Sequence, residues 1–266
     1  MRYRYSLKHC QVERTVIDGV PVVILKPKYK AIRTAVMWIH GGGYFLGMKE
    51  MVFISRAMDM VSKYGVTVIS PGYRLSVLHP FPAGLTDCYK VLKHLDSHKK
   101  EMGFDRLMIG GESAGGGLTC ALTLMARDNG IHLAYQMPLY PMLDCFDTDS
   151  SRNNHGKGWN TFLNHIGWKL YLRGNYGQEV SGYASPSHSR DYSQLPPCYT
   201  FVTDGEPFYC ETLDYVRKLQ EAGVPAEVDV YHSDVHGIDM LTRTETGKRA
   251  VEVFLKHFEH ALEHYY

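Results

Sequence analysis

Several things are missing from this 266-residue sequence, and each absence removes a class of protein. No run of 18 apolar residues occurs, so no segment reads as a membrane-spanning helix and no membrane partner is expected. No block of like charges forms a tail. With 29 basic residues against 28 acidic ones the net charge is +1, so nothing calls for a nucleic acid or another polyanion. The six cysteines (Cys10, Cys88, Cys120, Cys145, Cys198 and Cys210) show no C-x-x-C spacing and read as reduced, mostly structural thiols of a cytoplasmic protein. The opening residues, Met1-Arg2-Tyr3-Arg4-Tyr5-Ser6, lack an apolar h-region, so no secretory signal is expected. Internal repeats, low-complexity stretches and a second hydrophobic core are also missing.

What is present is ordinary globular material, 44% hydrophobic and 21% charged, over a length that suits one α/β domain with a sizeable core. Gln11–Val16 and Val20–Leu25 flank Asp18-Gly19 and predict a hairpin with a type I′ turn. Strand patterns follow at Ala35–Ile39, Val66–Ser70, Leu107–Gly110, Leu133–Leu139, Cys198–Val202 and Ala226–Tyr231. Between them, helices are predicted over Glu50–Tyr64, Gly84–Lys99, Ser113–Arg127, Pro207–Ala222 and Thr242–His264. The alternation gives the fold class: α/β, a mostly parallel twisted sheet with helices on both faces, begun by an antiparallel hairpin. Functional residues then belong in loops at the carboxyl ends of strands. Residues 145–190 interrupt the rhythm and are too few and too polar for a domain of their own. They read as a small cap on a single domain spanning residues 1–266, with one amphipathic piece over Thr161–Leu172.

One stretch suggests chemistry. Gly111-x-Ser113-x-Gly115 directly follows an apolar strand and opens a helix, which predicts a tight turn with the serine hydroxyl beyond the sheet edge. A serine needs a base, and the base needs an orienting carboxylate, in the chain order Ser, Asp/Glu, His. His236, after the strand ending at Tyr231 and beside Gly237, fits the base. The strand Cys198–Val202 leads to Asp204 and Glu206; either reaches an imidazole, and either could instead favour the next helix's N-terminus. Acyl transfer also needs donors for an oxyanion. Gly41-Gly42-Gly43 offers unobstructed backbone, so Gly42, Gly43 and Ala114 are the expected oxyanion hole. A phosphate cradle is the rival reading of such a glycine run, but Tyr44-Phe45-Leu46 follows where a Gly-Lys-Ser/Thr would be required.

Taken together, His40-Gly41-Gly42-Gly43, Tyr73-Arg74-Leu75, His79-Pro80-Phe81-Pro82-Ala83, Gly111-Glu112-Ser113-Ala114-Gly115-Gly116, Tyr140-Pro141 with Asp144, Tyr183-Ala184-Ser185-Pro186 and Val235-His236-Gly237 resemble the hormone-sensitive-lipase-like branch of the α/β-hydrolases. The resemblance runs from about Val36 to the C-terminus. It implies a serine carboxylesterase or acetylesterase using Ser113, His236 and an acid directly before a proline. That favours Glu206, before Pro207, although Asp is usual in the family at that position. Relatives also often carry Asp where Glu112 stands and Glu at Leu78, changes that leave the chemistry untouched. Many have a helical cap segment ahead of the first motif; only 39 residues precede His40 here, so a thin cap and a short, acetyl-like acyl group are expected. Tyr44, Tyr73 and Tyr183 are the tyrosines expected to bind substrate, and Trp159-Asn160 would either touch substrate or simply pack the lid. The expected partner is a small-molecule ester, with no cofactor and no metal; the oligomeric state is left open, a homodimer included. Other readings are an amide or formamide hydrolase and, in a different class, a small-molecule receptor on the same fold, which retention of Ser, acid and His disfavours. His260-Ala261-Leu262-Glu263-His264 reads as H-x-x-E-H, but no third ligand follows in the two remaining residues. His94 and His98 share a helix face with no further ligand beside them.

Overall fold

A computed structural model describes residues 10–266, so the opening stretch read for a secretion signal lies outside the described residues. The strands are β1 (Cys10–Ile17), β2 (Val20–Pro27), β3 (Thr34–Ile39), β4 (Thr67–Pro71), β5 (Arg106–Glu112), β6 (Gln136–Leu139), β7 (Cys198–Thr203) and β8 (Ala226–Tyr231). They form one sheet in the order β1-β2-β4-β3-β5-β6-β7-β8. Both pairings of β2 are antiparallel and every pairing from β4 to β8 is parallel. Asp18 and Gly19 turn the hairpin with φ of 46° and 82°, both positive as a type I′ turn requires.

The central strand shows why both faces are covered. All six residues of β3 are buried. Ala35, Met37 and Ile39 join the core beneath α2 (Ala83–Ser97) and α3 (Ala114–Asp128). Val36 and Trp38 alternate with them, facing α1 (Ala57–Tyr64) and α6 (Glu245–His264) through Met58, Phe254 and Phe258. A strand with helices on both sides has no water-facing residue, hence its continuous apolar run. On the same side as α3, α5 (Tyr209–Glu221) packs Tyr215, Val216 and Leu219 against Cys120 and Leu124. Residues 145–190 carry α4 (Thr161–Leu172) as a small cap. Among the described residues no helix is long and apolar enough to cross a membrane.

Two expected elements differ. The helix over Glu50–Tyr64 is broken into a 3-10 segment, Lys49–Ile54, and α1. Ser55 is extended between them, and its hydroxyl donates to the Val52 carbonyl at 3.0 Å while accepting from the Ala57 N–H at 3.1 Å, so the chain restarts there. Of Leu133–Leu139 only Gln136–Leu139 is strand. Ala134 N–H still reaches the Leu107 carbonyl at 2.9 Å, so the earlier part follows β5 along a looser path.

Candidate active site

Ser113 stands between β5 and α3 with φ 57° and ψ −120°, a backbone conformation a serine adopts only where its surroundings impose it. Its N–H donates to the Leu139 carbonyl at 2.9 Å, and its own carbonyl accepts from Gly117 at 2.9 Å and Met142 at 3.1 Å. The flanking glycines are steric necessities. A Cβ on Gly111 would come within 2.6 Å of the carbonyl oxygens of Ile39 and Gly115, and one on Gly115 within 2.5 Å of the His40 carbonyl oxygen. The pentapeptide thus lets β3, β5 and α3 converge on one point at the carboxyl edge of the sheet.

Two loops on that edge bring the other groups. His236 Nε2 lies 2.9 Å from Ser113 Oγ, and His236 Nδ1 bonds Glu206 Oε2. Glu206 is fully buried, and its second oxygen accepts from the Thr203 N–H at 2.9 Å, which fixes the carboxylate. Asp204 points elsewhere, bonding His232 Nδ1 at 2.7 Å and the Ser233 N–H at 3.1 Å on the surface. The cap clamps both loops: His236 N–H donates to the Lys157 carbonyl at 2.9 Å, Lys157 N–H to Asp234 at 2.7 Å, and Asn154 Nδ2 to Gly205 at 3.0 Å. Tyr140, Phe208 and Trp159 surround the His236 ring at centroid distances of 4.9, 5.2 and 6.3 Å.

The glycine run lies against the serine, since a Cβ on Gly41 would meet Ser113 Cβ at 3.2 Å. Gly42 has φ 117°, open to glycine alone in practice, and Gly43 has φ 59°. Among the described residues the N–H groups of Gly42, Gly43 and Ala114 have no hydrogen-bond acceptor. Beneath the run, burial lowers the pKa of His40 to about 4, so its ring is neutral. Its Nδ1–H donates to the Gly41 carbonyl at 2.8 Å. Of the expected substrate tyrosines, Tyr44 and Tyr73 are buried rather than at an open pocket wall, and Tyr183 lines a surface groove away from Ser113. Tyr73 is buried, stacked on His40, with its hydroxyl donating to the His40 carbonyl at 3.0 Å. Tyr44 is buried against Tyr171 of α4, and its hydroxyl donates to Met142 at 2.9 Å. Both support the glycine loop from below. Tyr183 bonds Asp128 at the far end of α3, about 21 Å from Ala114 at about 1.5 Å per residue, and so does not join Ser113.

A family model described as the alpha/beta hydrolase fold matches residues 36–240. The chain is 31% identical to an arylesterase of Saccharolobus solfataricus over 82% of its own length and 72% of that protein. It is 29% identical to the carboxylesterase NlhH of Mycobacterium tuberculosis, covering 85% of this chain and 74% of the relative. The chain belongs to the hormone-sensitive-lipase-like branch of the α/β-hydrolases. The structure of a bacterial heroin esterase superposes with a TM-score of 0.91 at 29% identity, over 97% of this chain and 86% of that one. Within this family the present chain is a serine hydrolase of the esterase type acting on small-molecule esters.

The esterase also holds a buried acidic network that the sequence reading did not foresee. Glu112, just before Ser113, accepts from the Trp38 indole at 3.3 Å, and its pKa is pushed up to about 8 by burial and by the nearby Asp239. Asp239 is fully buried, accepts from the Tyr140 hydroxyl at 3.0 Å and pairs with Arg56 at 3.0 Å. Arg56 bonds Asp59 as well, at 3.0 Å. These groups lie behind the Ser113 turn and the His236 loop and tie the two together. A buried arginine in the middle of a helical pattern was the one available sign. A separate trio, Asp144, Cys145 and His188, has its donor atoms within 4.8 Å of one another, but Asp144 is already bonded to His188 at 3.0 Å.

Proposed function

We propose that the chain hydrolyses short-chain, acetyl-like carboxylic esters through an acyl-enzyme formed on Ser113. The observation that carries this reading is the His236 ring, bonded through Nε2 to Ser113 Oγ at 2.9 Å and through Nδ1 to the buried Glu206. A serine hydroxyl is a weak nucleophile at neutral pH, and an imidazole within hydrogen-bond reach removes that handicap. Ser113 Oγ attacks the ester carbonyl carbon as Nε2 takes its proton. Nδ1 keeps its proton and donates to Glu206, whose charge stabilises the imidazolium and holds the ring in the tautomer that leaves Nε2 free to accept. The carbonyl oxygen, now an anion, meets the N–H groups of Gly42, Gly43 and Ala114; one such donor is typically worth about 100- to 1000-fold in rate. Nε2–H then passes its proton to the departing alkoxide. Water next gives a proton to Nε2 and attacks the acyl carbon, the carboxylic acid leaves, and Oγ regains its proton. The short-acyl part rests on the thin cap, whose α4 packs Gly167 close to the Gly43 carbonyl, 3.0 Å from where a Cβ would lie.

The test is an acyl-chain series of chromogenic esters on wild type and Ser113→Ala, beside labelling with a fluorophosphonate. Ser113→Ala should lose about 10,000-fold or more in kcat/KM and all labelling, with an unchanged thermal midpoint. Near-normal turnover by that variant sinks the mechanism, and best activity on long-chain esters sinks the acyl preference.

A further inference from the structure

We propose that Trp159, carried by the cap, is the residue that sets the upper length of the acyl group, an inference that rests on the ester-hydrolase reading above. Trp159 is 6% exposed and lies against the glycine loop, the His236 ring and the cap helix. Its six-membered ring lies so close to Gly43 that a Cβ there would come within 2.8 Å of Cζ2. Its ring centre is 6.3 Å from that of His236, 6.2 Å from that of Phe45, and 6.4 Å from that of Phe208, two residues past Glu206. Gly167 of α4 closes another side, 3.5 Å separating its notional Cβ from Trp159 Cζ2. The indole is therefore a wedge between the glycine loop, the histidine loop and the cap helix. The following residue holds it in place: the Asn160 side chain caps α4 by accepting from the Leu163 N–H at 3.1 Å.

The two halves of an ester need different surroundings. The alcohol has to depart while the acyl group stays bonded to Ser113 until water arrives, so the alcohol side must open to solvent and the acyl side can be enclosed. A wall more than nine-tenths buried and packed on the glycine loop bounds the enclosed side. Each methylene added to the acyl chain then has to displace indole surface, and an apolar pocket discriminates by about 10- to 200-fold per methylene.

The experiment compares wild type, Trp159→Ala and Trp159→Phe on para-nitrophenyl acetate, butyrate, hexanoate and octanoate, and on acetates of alcohols of increasing size. For Trp159→Ala the hexanoate-to-acetate ratio of kcat/KM should rise about tenfold or more, with a smaller rise for Trp159→Phe and no change in the alcohol series. Removing an indole opens a cavity and costs stability; the ratio is insensitive to that loss, because a smaller active fraction scales every ester alike. An unchanged acyl ratio in a Trp159→Phe protein that still labels fully with a fluorophosphonate overturns the proposal, as does a response confined to the alcohol series. Failure of the wild type to label or to turn over any ester strikes the hydrolase reading instead, so the two failures are told apart.

Discussion

Two histidine–carboxylate pairs grow from the same two loops. The loop after β7 carries Asp204 and Glu206, and the loop after β8 carries His232 and His236. Glu206 pairs with His236 and Asp204 with His232, so the chemistry is nearly the same twice. Their surroundings differ: side-chain exposure is 1% and 11% for the inner pair, against 36% and 98% for the outer one. The inner imidazole directs its second nitrogen at Ser113, while the outer ring stands in water. What separates a candidate catalytic pair from a surface ion pair is thus enclosure and aim, and in this molecule two residues along one loop and four along the other decide both.

The largest expected effect comes from breaking the inner pair alone. Glu206→Gln keeps the shape of the carboxylate but can present an amide N–H to Nδ1, which favours the tautomer with its proton on Nε2. That proton blocks acceptance from Ser113. A loss of about 10,000-fold in kcat is expected, as for the comparable acid-to-amide change in a serine protease triad. Asp204→Asn, two residues away, should leave kcat/KM within about twofold. Steady-state kinetics on one chromogenic acetate separates them, and equal losses in the two variants would collapse the difference between the inner and outer pairs.

The inner–outer choice was only half legible in the sequence. Chain order and strand ends restricted the acid to Asp204 or Glu206, and neither reach nor helix-dipole arguments separated them. The proline after Glu206 did so only through family resemblance. What decides in three dimensions is the Thr203 N–H, 2.9 Å from Glu206 Oε1, which turns the carboxylate inward. The parallel sheet, the Ser113 turn and the glycine loop were readable because each is a local pattern with a local cause. The cap was legible as an interruption, but its bonds from Lys157 and Asn154 to the two loops were not, since they join residues far apart in the chain. Tyr44, Tyr73 and Tyr183 show the same limit: the motifs beside them suggested a place at the substrate, whereas long-range contacts put the first two beneath the glycine loop and the third at the far end of α3.

Glu112 extends the comparison to a buried carboxylate that has no histidine. Burial and the neighbouring Asp239 raise its pKa from an ordinary 4.5 to about 8. Between those values the folded chain holds a proton that the unfolded chain has released, so stability falls as pH rises through this window, at most by about 1.4 kcal/mol per pH unit. Glu112→Gln mimics the protonated acid and removes that dependence. Thermal midpoints of wild type and variant, measured from pH 5 to pH 8, should therefore diverge in the variant's favour as pH increases. Parallel curves would mean that Glu112 is ionised when folded.

The smallest effect is expected at the outer pair, and its pH dependence has a defined shape. The bond to His232 draws the Asp204 pKa below its ordinary 3.8, so that contribution is present above about 3.8 and is lost as pH falls through the depressed value. The same bond raises His232 above its ordinary 6.5, a contribution present below about 6.5 and lost as pH rises through the raised value. Both hold together between roughly pH 4 and 6.5. His232→Ala should lower the thermal midpoint slightly at pH 5.5, and by less and less as pH rises through the raised His232 value. About 1 M salt should erase even the first difference, because screening at that ionic strength acts over about 3 Å and an exposed pair has no protein around it to resist it. Turnover should not change in any of these conditions relative to wild type. A tenfold loss of kcat in His232→Ala would place the outer pair in the chemistry and make its exposure the feature to explain.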